Sequence, residues 1–65
     1  MKSYSSSEVI AILKADGWYL KRVHGDHHQF KHRIKKGTVT VTHPKKDLNK
    51  GDLKSIEKQS GLKFK

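Results

Sequence analysis

Histidine is the residue type in this sequence that is best suited to acid–base chemistry near neutral pH. Five of the 65 residues are histidines, and four of them lie between His24 and His32. Imidazole titrates near about pH 6.5, so it can accept or release a proton under physiological conditions. RNA carries its own nucleophile, the 2′-hydroxyl. One exposed histidine among cationic side chains therefore suffices to start phosphodiester cleavage.

The histidines could instead bind a metal ion or serve only the fold. His28 and His32 flank Phe30 on one strand, so two imidazoles could share a face and bind zinc. However, no carboxylate is spaced to complete such a site, and the chain contains no cysteine. Each histidine could also be structural or simply solvated. We expect no metal and no cofactor.

The charge of the chain indicates a polyanionic partner. Fifteen Lys and Arg residues face six Asp and Glu residues, which gives a formal net charge of +9. A membrane is the poorer candidate, because the basic residues are spread along the chain and no apolar run approaches the roughly 18 residues of a membrane helix. We expect one domain over residues 1–65. The lack of cysteine and of a signal-peptide pattern favours a cytoplasmic location.

Local patterns predict five elements that would position the histidines. Ser5 and Glu8 match a capping box at the start of a helix over residues 6–16. Strands are expected over 18–24, 27–34 and 38–42, and Asn49 is a plausible N-cap for a second helix over 50–60. The order α-β-β-β-α predicts an α+β fold like that of double-stranded-RNA-binding domains, a three-stranded antiparallel sheet with two helices on one face.

Strand alternation ranks the histidines. If Phe30 points toward the helices, His28 and His32 share its face, and His27 points outward. His27 also follows a turn, where a phosphate can approach the backbone. His27 is therefore the first candidate for the catalytic residue and His28 the second, and a bulge near Gly25 would exchange them.

Several basic residues are expected to bind the phosphates of RNA. Those predicted to line or flank the open face of the sheet are Lys21, Arg22, Lys31, Lys35 and Lys36. Lys45, Lys46 and Lys50 surround the start of the second helix, where the helix dipole favours an anion.

Three stretches of the chain, taken in order, resemble one family. They are residues 17–32, which include GWYL and GDHHQFKH, residues 39–51 (VTVTHPKKDLNKG) and residues 56–62 (IEKQSGL). Together they are similar to the HicA (YcfA-like) toxins over nearly the whole chain. The resemblance implies a double-stranded-RNA-binding-like fold and a ribonuclease that cuts messenger RNA. It also implies a HicB-type antitoxin, encoded beside the toxin, as the neutralising partner.

The resemblance also assigns residues. The family's catalytic histidine lies in a Gly-Ser-His run that falls on Gly25, Asp26 and His27, so Asp26 stands where a serine is usual. His43 precedes Pro44 as in the family, which makes His43 a secondary site residue. Two alternatives remain: a non-catalytic RNA-binding module of the same fold, and a structural partner whose basic face holds an acidic protein.

Overall fold

The computed structural model describes residues 3–64, so residues 1–2 and 65 of the predicted domain lie outside it. The elements are α1 (Ser6–Ala15), β1 (Trp18–His24), β2 (His27–His32), β3 (Val39–Thr42) and α2 (Lys50–Ser60). The predicted α-β-β-β-α order is confirmed, and the element bounds differ from the prediction by at most two residues. No helix among the described residues is long and apolar enough to cross a membrane.

Both helices begin at the caps that the sequence predicts. The Ser5 side chain accepts a hydrogen bond from the Glu8 backbone N–H, and the Glu8 carboxylate accepts one from the Ser5 N–H. Asn49 accepts from the backbone N–H of Asp52 at the start of α2. These bonds satisfy backbone donors that have no partner within the helix, and so they fix where each helix starts.

The three strands form one antiparallel sheet in the order β1-β2-β3, and α1 and α2 pack against one face. Val39 and Val41 are fully buried beneath the helices, as their alternation with threonine predicts. Trp18 is 2% exposed and belongs to the core, whereas the adjacent Tyr19 is 45% exposed on the other face. We call the uncovered face of the sheet the open face.

Strand β2 ends at His32 rather than at the predicted Ile34, because the His32 ring turns the chain. Its Nδ1 accepts hydrogen bonds from the backbone N–H groups of Ile34 and Lys35, each at 3.0 Å. Nε2 therefore carries the ring proton and donates it to the backbone oxygen of Asp16 at 2.7 Å. Ile34 lies beyond the sheet with 86% exposure.

Candidate functional site

The open face carries polar side chains in cross-strand rows. The row nearest the β1–β2 turn consists of His24, His27 and Thr42, because His27 pairs with His24 on one side and with Thr42 on the other. In the next row Gln29 lies between Arg22 and Thr40. Residues that pair directly across antiparallel strands project to the same face.

The orientation of His27 agrees with the sequence-based expectation. Phe30 is 1% exposed beneath the helices, and the side chain of His27 is 58% exposed on the open face. His27 directly follows the Gly25-Asp26 turn, and Gly25 has a positive φ of 64°, which glycine adopts readily. A phosphodiester can therefore reach the imidazole from solvent.

Asp26 gives His27 an acidic neighbour. Its Oδ1 lies 3.7 Å from Nε2 of His27, and its side chain is 65% exposed. Solvent screens such an exposed pair, so its contribution to folding is small.

His28, the second candidate, lies on the helix side of the sheet and is half-buried. Its ring packs edge-on against that of His43, with 4.9 Å between the centroids. Its Nδ1 is buried and has no hydrogen-bond partner within residues 3–64. His27 and His28 thus occupy opposite faces, and only His27 belongs to the open face.

His43 is tied to the first helix rather than to the open face. Its Nδ1 lies 2.7 Å from Oγ of Ser6, and its backbone N–H donates to the backbone oxygen of Asp26 at 2.8 Å. Ser6 is 1% exposed, and its hydroxyl also accepts from the backbone N–H of Lys45 at 2.8 Å. Sequence reasoning missed this role of Ser6, because a serine at a helix start is already explained by capping.

The structure divides the basic residues that were predicted to lie at the sheet. Arg22 and Lys31 lie on the open face, opposite Gln29 and Tyr19 respectively. Lys21 is exposed at a β-bulge between Leu20 and Arg22. Lys36 is exposed in the β2–β3 connection.

Lys35 does not flank the open face, so its predicted position is wrong. Its ammonium lies 2.6 Å from Oδ2 of Asp16 and donates to the backbone oxygen of Ser60 at 3.1 Å. The His32 ring causes this placement. Its Nδ1 accepts a hydrogen bond from the Lys35 backbone N–H, and this bond directs the chain toward α1 and the end of α2. Lys35 therefore joins the two helix ends.

Two of the remaining predicted lysines, Lys45 and Lys46, line a cleft at the start of α1. The cleft has a volume of about 400 Å³ and is lined by Ser5, Ser6, Ser7, Pro44, Lys45 and Lys46. The Lys45 ammonium also lies 3.5 Å from the Asp52 carboxylate near the start of α2, and Lys50 is exposed as the first residue of that helix. Lys45 and Lys46 thus adjoin the start of α1, a position that the sequence did not indicate.

Within residues 3–64, no group of three or more metal-binding side chains is placed to hold a metal ion. His28 and His32 both face the helix side, but each is directed to a different partner. His32 binds the Asp16 backbone oxygen, and His28 packs against His43. His28 and His32 do share one face of β2, as strand alternation predicts, but their rings do not come together to form a zinc site.

Fold and site together define a small basic α+β protein with the layout of double-stranded-RNA-binding domains. The family model of the HicA toxin of bacterial toxin–antitoxin systems matches residues 6–62. The chain therefore belongs to the HicA toxin family. A comparison with curated proteins found no significant match.

Proposed function

We propose that this chain is the toxin of a type II toxin–antitoxin system and acts as an endoribonuclease on messenger RNA in the cytoplasm. The observation that carries the proposal is the exposure of His27 on the open face, directly after the hairpin turn. The net charge of +9 supports a polyanionic substrate. Membership in the HicA toxin family supports the toxin role.

In the proposed reaction, His27 is the general base and no metal takes part. Its imidazole takes the proton of a ribose 2′-hydroxyl, and the oxygen attacks the adjacent phosphorus. Arg22, one row along the open face, would hold the phosphoryl oxygens, and Lys31, four residues along β2 from His27, would bind a phosphate farther along the RNA. The carboxylate of Asp26, 3.7 Å away, would stabilise the imidazolium once it forms.

A HicB-type antitoxin is the proposed inhibitor. The open face exposes cationic side chains, so an acidic surface laid across it would cover His27 and Arg22 together. The same contact would stabilise the fold by mass action, because a partner that binds only the native chain shifts the unfolding equilibrium. The alternative role, in which the basic face only binds an acidic protein, would use the same contact.

A second candidate function is RNA binding without cleavage. Asp26 favours it, because this exposed carboxylate places negative charge next to the position that a phosphate must approach. In that case the open face would bind RNA by shape and phosphate contacts alone.

The test compares the purified chain with a His27→Ala variant on a long messenger RNA, with and without a metal chelator. We expect the wild type to cut the RNA in both conditions and the variant to cut it at least about 100-fold more slowly, because general base catalysis contributes about 10²–10⁴-fold. Induced expression should arrest growth only with the wild type. A His28→Ala variant should keep more activity than His27→Ala.

Ile34→Ala is the matched control, because Ile34 is 86% exposed outside the strands and should not affect cleavage. If wild type and His27→Ala both bind RNA and neither cuts it, the chain is a binding module. Cleavage that is undiminished in His27→Ala would overturn the assignment of the base. Cleavage that stops when the metal is removed would contradict the metal-independent mechanism.

A further inference from the structure

The hairpin formed by β1 and β2 brings a second histidine beside His27. The two-residue turn Gly25-Asp26 joins the strands, and His24 is the direct cross-strand partner of His27. The Cβ atoms of such partners lie about 4.5–5.5 Å apart and project to the same face. His24 and His27 are both exposed, so their side chains project to solvent from paired positions at the hairpin end of the open face.

A β-bulge is responsible for the orientation of His24. Trp18 points toward the helices, and strict alternation along β1 would place His24 on that same side. The register shifts between Leu20 and Arg22, so the extra residue Lys21 reverses the parity of the rest of the strand. Arg22 and His24 consequently reach the open face, in keeping with the general use of bulges to redirect a side chain.

We propose that His24 is the general acid of the cleavage reaction, which rests on the proposed function of the chain as a ribonuclease. His27 takes the proton of the 2′-hydroxyl as the bond between the 2′-oxygen and phosphorus forms. The bond between phosphorus and the 5′-oxygen breaks, and the His24 imidazolium protonates that leaving oxygen. The products are a 2′,3′-cyclic phosphate and a 5′-hydroxyl, and proton exchange with water restores both rings.

The other three histidines are occupied elsewhere. His32 binds the Asp16 backbone oxygen through Nε2 and two backbone N–H groups through Nδ1. His43 is bonded to Ser6, and His28 is packed against His43 on the helix side. Among the histidines, only His24 shares both the face and the row of His27. One phosphodiester placed over this row would contact both rings.

The decisive experiment uses two versions of one RNA oligonucleotide, whose cleavage site is first mapped with the wild-type chain. One version has the natural linkage, and the other has sulfur in place of the 5′-oxygen that leaves. A thiolate leaves without protonation, so general acid catalysis is dispensable for that substrate. We expect His24→Ala to slow cleavage of the natural linkage by about 10²–10⁴-fold and to affect the sulfur linkage far less. His27→Ala should impair both.

The pH profile gives a second readout. Cleavage of the natural linkage by the wild type should follow a bell-shaped profile, because one group must be unprotonated and the other protonated. His24→Ala should lose the alkaline limb, the limb on which the acid is deprotonated. Val23→Ala is the matched control, because Val23 adjoins His24 but projects to the helix side, where it is 50% exposed.

The possible outcomes separate the two proposals. If the wild type cuts neither RNA, the proposed ribonuclease function fails, and the role of His24 fails with it. If cleavage depends on His27 but His24→Ala cuts the natural linkage at the wild-type rate, only the role of His24 is overturned. An equal loss on both substrates would also overturn it, because His24 would then contribute to binding rather than to proton transfer.

Discussion

Neighbouring histidines of this chain have ring nitrogens in different surroundings. His27 is exposed on the open face, and His28, the next residue, has a buried Nδ1 on the opposite side. His32 has both ring nitrogens in hydrogen bonds to the backbone. The side-chain chemistry is the same in each case. The fold therefore leaves His27 as the most solvent-accessible of these three rings.

Asp16 shows the same dependence on surroundings for a carboxylate. The Lys35 hydrogen bond, more than any other cause, holds the pKa of Asp16 below its usual 3.8, and the Lys35 charge and the Trp18 indole N–H act in the same direction. Partial burial opposes this shift. The ionised carboxylate therefore stabilises the junction between the end of α1 and the chain after β2.

Acid should weaken this junction. The pKa of Asp16 is lower in the folded chain than in the unfolded chain, so its stabilising contribution is complete above pH 3.8 and is lost as the pH falls through the lower, folded-state value. We expect Asp16→Asn to lower the melting temperature at neutral pH and to reduce the loss of stability below pH 3.8. Thermal melts from about pH 7 to pH 2 measure both effects.

Asp47→Asn is the control, because Asp47 is an exposed acidic residue in the loop before α2. Asp47→Asn changes the net charge by the same amount as Asp16→Asn and leaves the contact between Asp16 and Lys35 intact. If Asp16→Asn and Asp47→Asn gave the same pH dependence, general charge effects would explain the acid response, and the Lys35 contact would not.

At the scale of elements, the start of α1 is joined to the chain after β3 through one buried hydroxyl. Ser6 Oγ accepts from the Lys45 N–H, bonds the Lys45 backbone oxygen at 3.1 Å and lies 2.7 Å from Nδ1 of His43. The Ser6 backbone N–H donates to the same Lys45 oxygen at 2.9 Å. These bonds join residues that are 37 and 39 positions apart, and they fix the loop that carries His43.

Removing this hydroxyl should destabilise the fold. Ser6→Ala leaves the Lys45 N–H and a ring nitrogen of His43 without their partner, and a buried polar group that loses its hydrogen bond costs about 1–3 kcal/mol. We expect the free energy of unfolding in urea to fall by that amount. Ser7→Ala is the control, because Ser7 is exposed in the same helical turn and should have little effect. Equal losses in the two variants would indicate a change in helix propensity only.

At the scale of the whole molecule, some of the cationic side chains are paired with carboxylates and others are free in solvent. Lys35 is bound to Asp16, and Lys45 lies beside Asp52, whereas Arg22 is exposed on the open face. The formal charge of +9 therefore overstates the number of cations that are free to meet a phosphate. RNA affinity should reflect the exposed cations rather than the total.

Salt dependence can count these contacts. For single-stranded RNA, each phosphate contact contributes about −0.7 to the slope of log K against log salt concentration. We expect Arg22→Ala to weaken binding and to make the slope shallower by about 0.7. Lys54→Ala removes an equal charge from the exposed side of α2 and should leave the slope unchanged. The His27→Ala background prevents cleavage during the titration. Equal slopes for all three chains would remove Arg22 from the RNA interface.

The sequence by itself determined the local features of this protein. Capping by Ser5 and Asn49 depends on groups three residues apart, and the burial of Val39 and Val41 follows from strand alternation. Such interactions are encoded within a few consecutive residues, so the α-β-β-β-α order and the outward direction of His27 could be predicted. The family motif likewise lies within contiguous runs of sequence.

Only the tertiary structure decided which predicted residues lie beside His27 on the open face and which lie elsewhere. The bulge at Lys21 reverses the parity of β1 and places His24 on the open face, and nothing in the spacing of the residues indicates that extra residue. Lys35 is directed to Asp16 and Ser60, and the ring of His43 to Ser6, by contacts between segments far apart in the chain. Register and long-range hydrogen bonds arise when the packed elements satisfy one another's polar groups, so no local pattern specifies them.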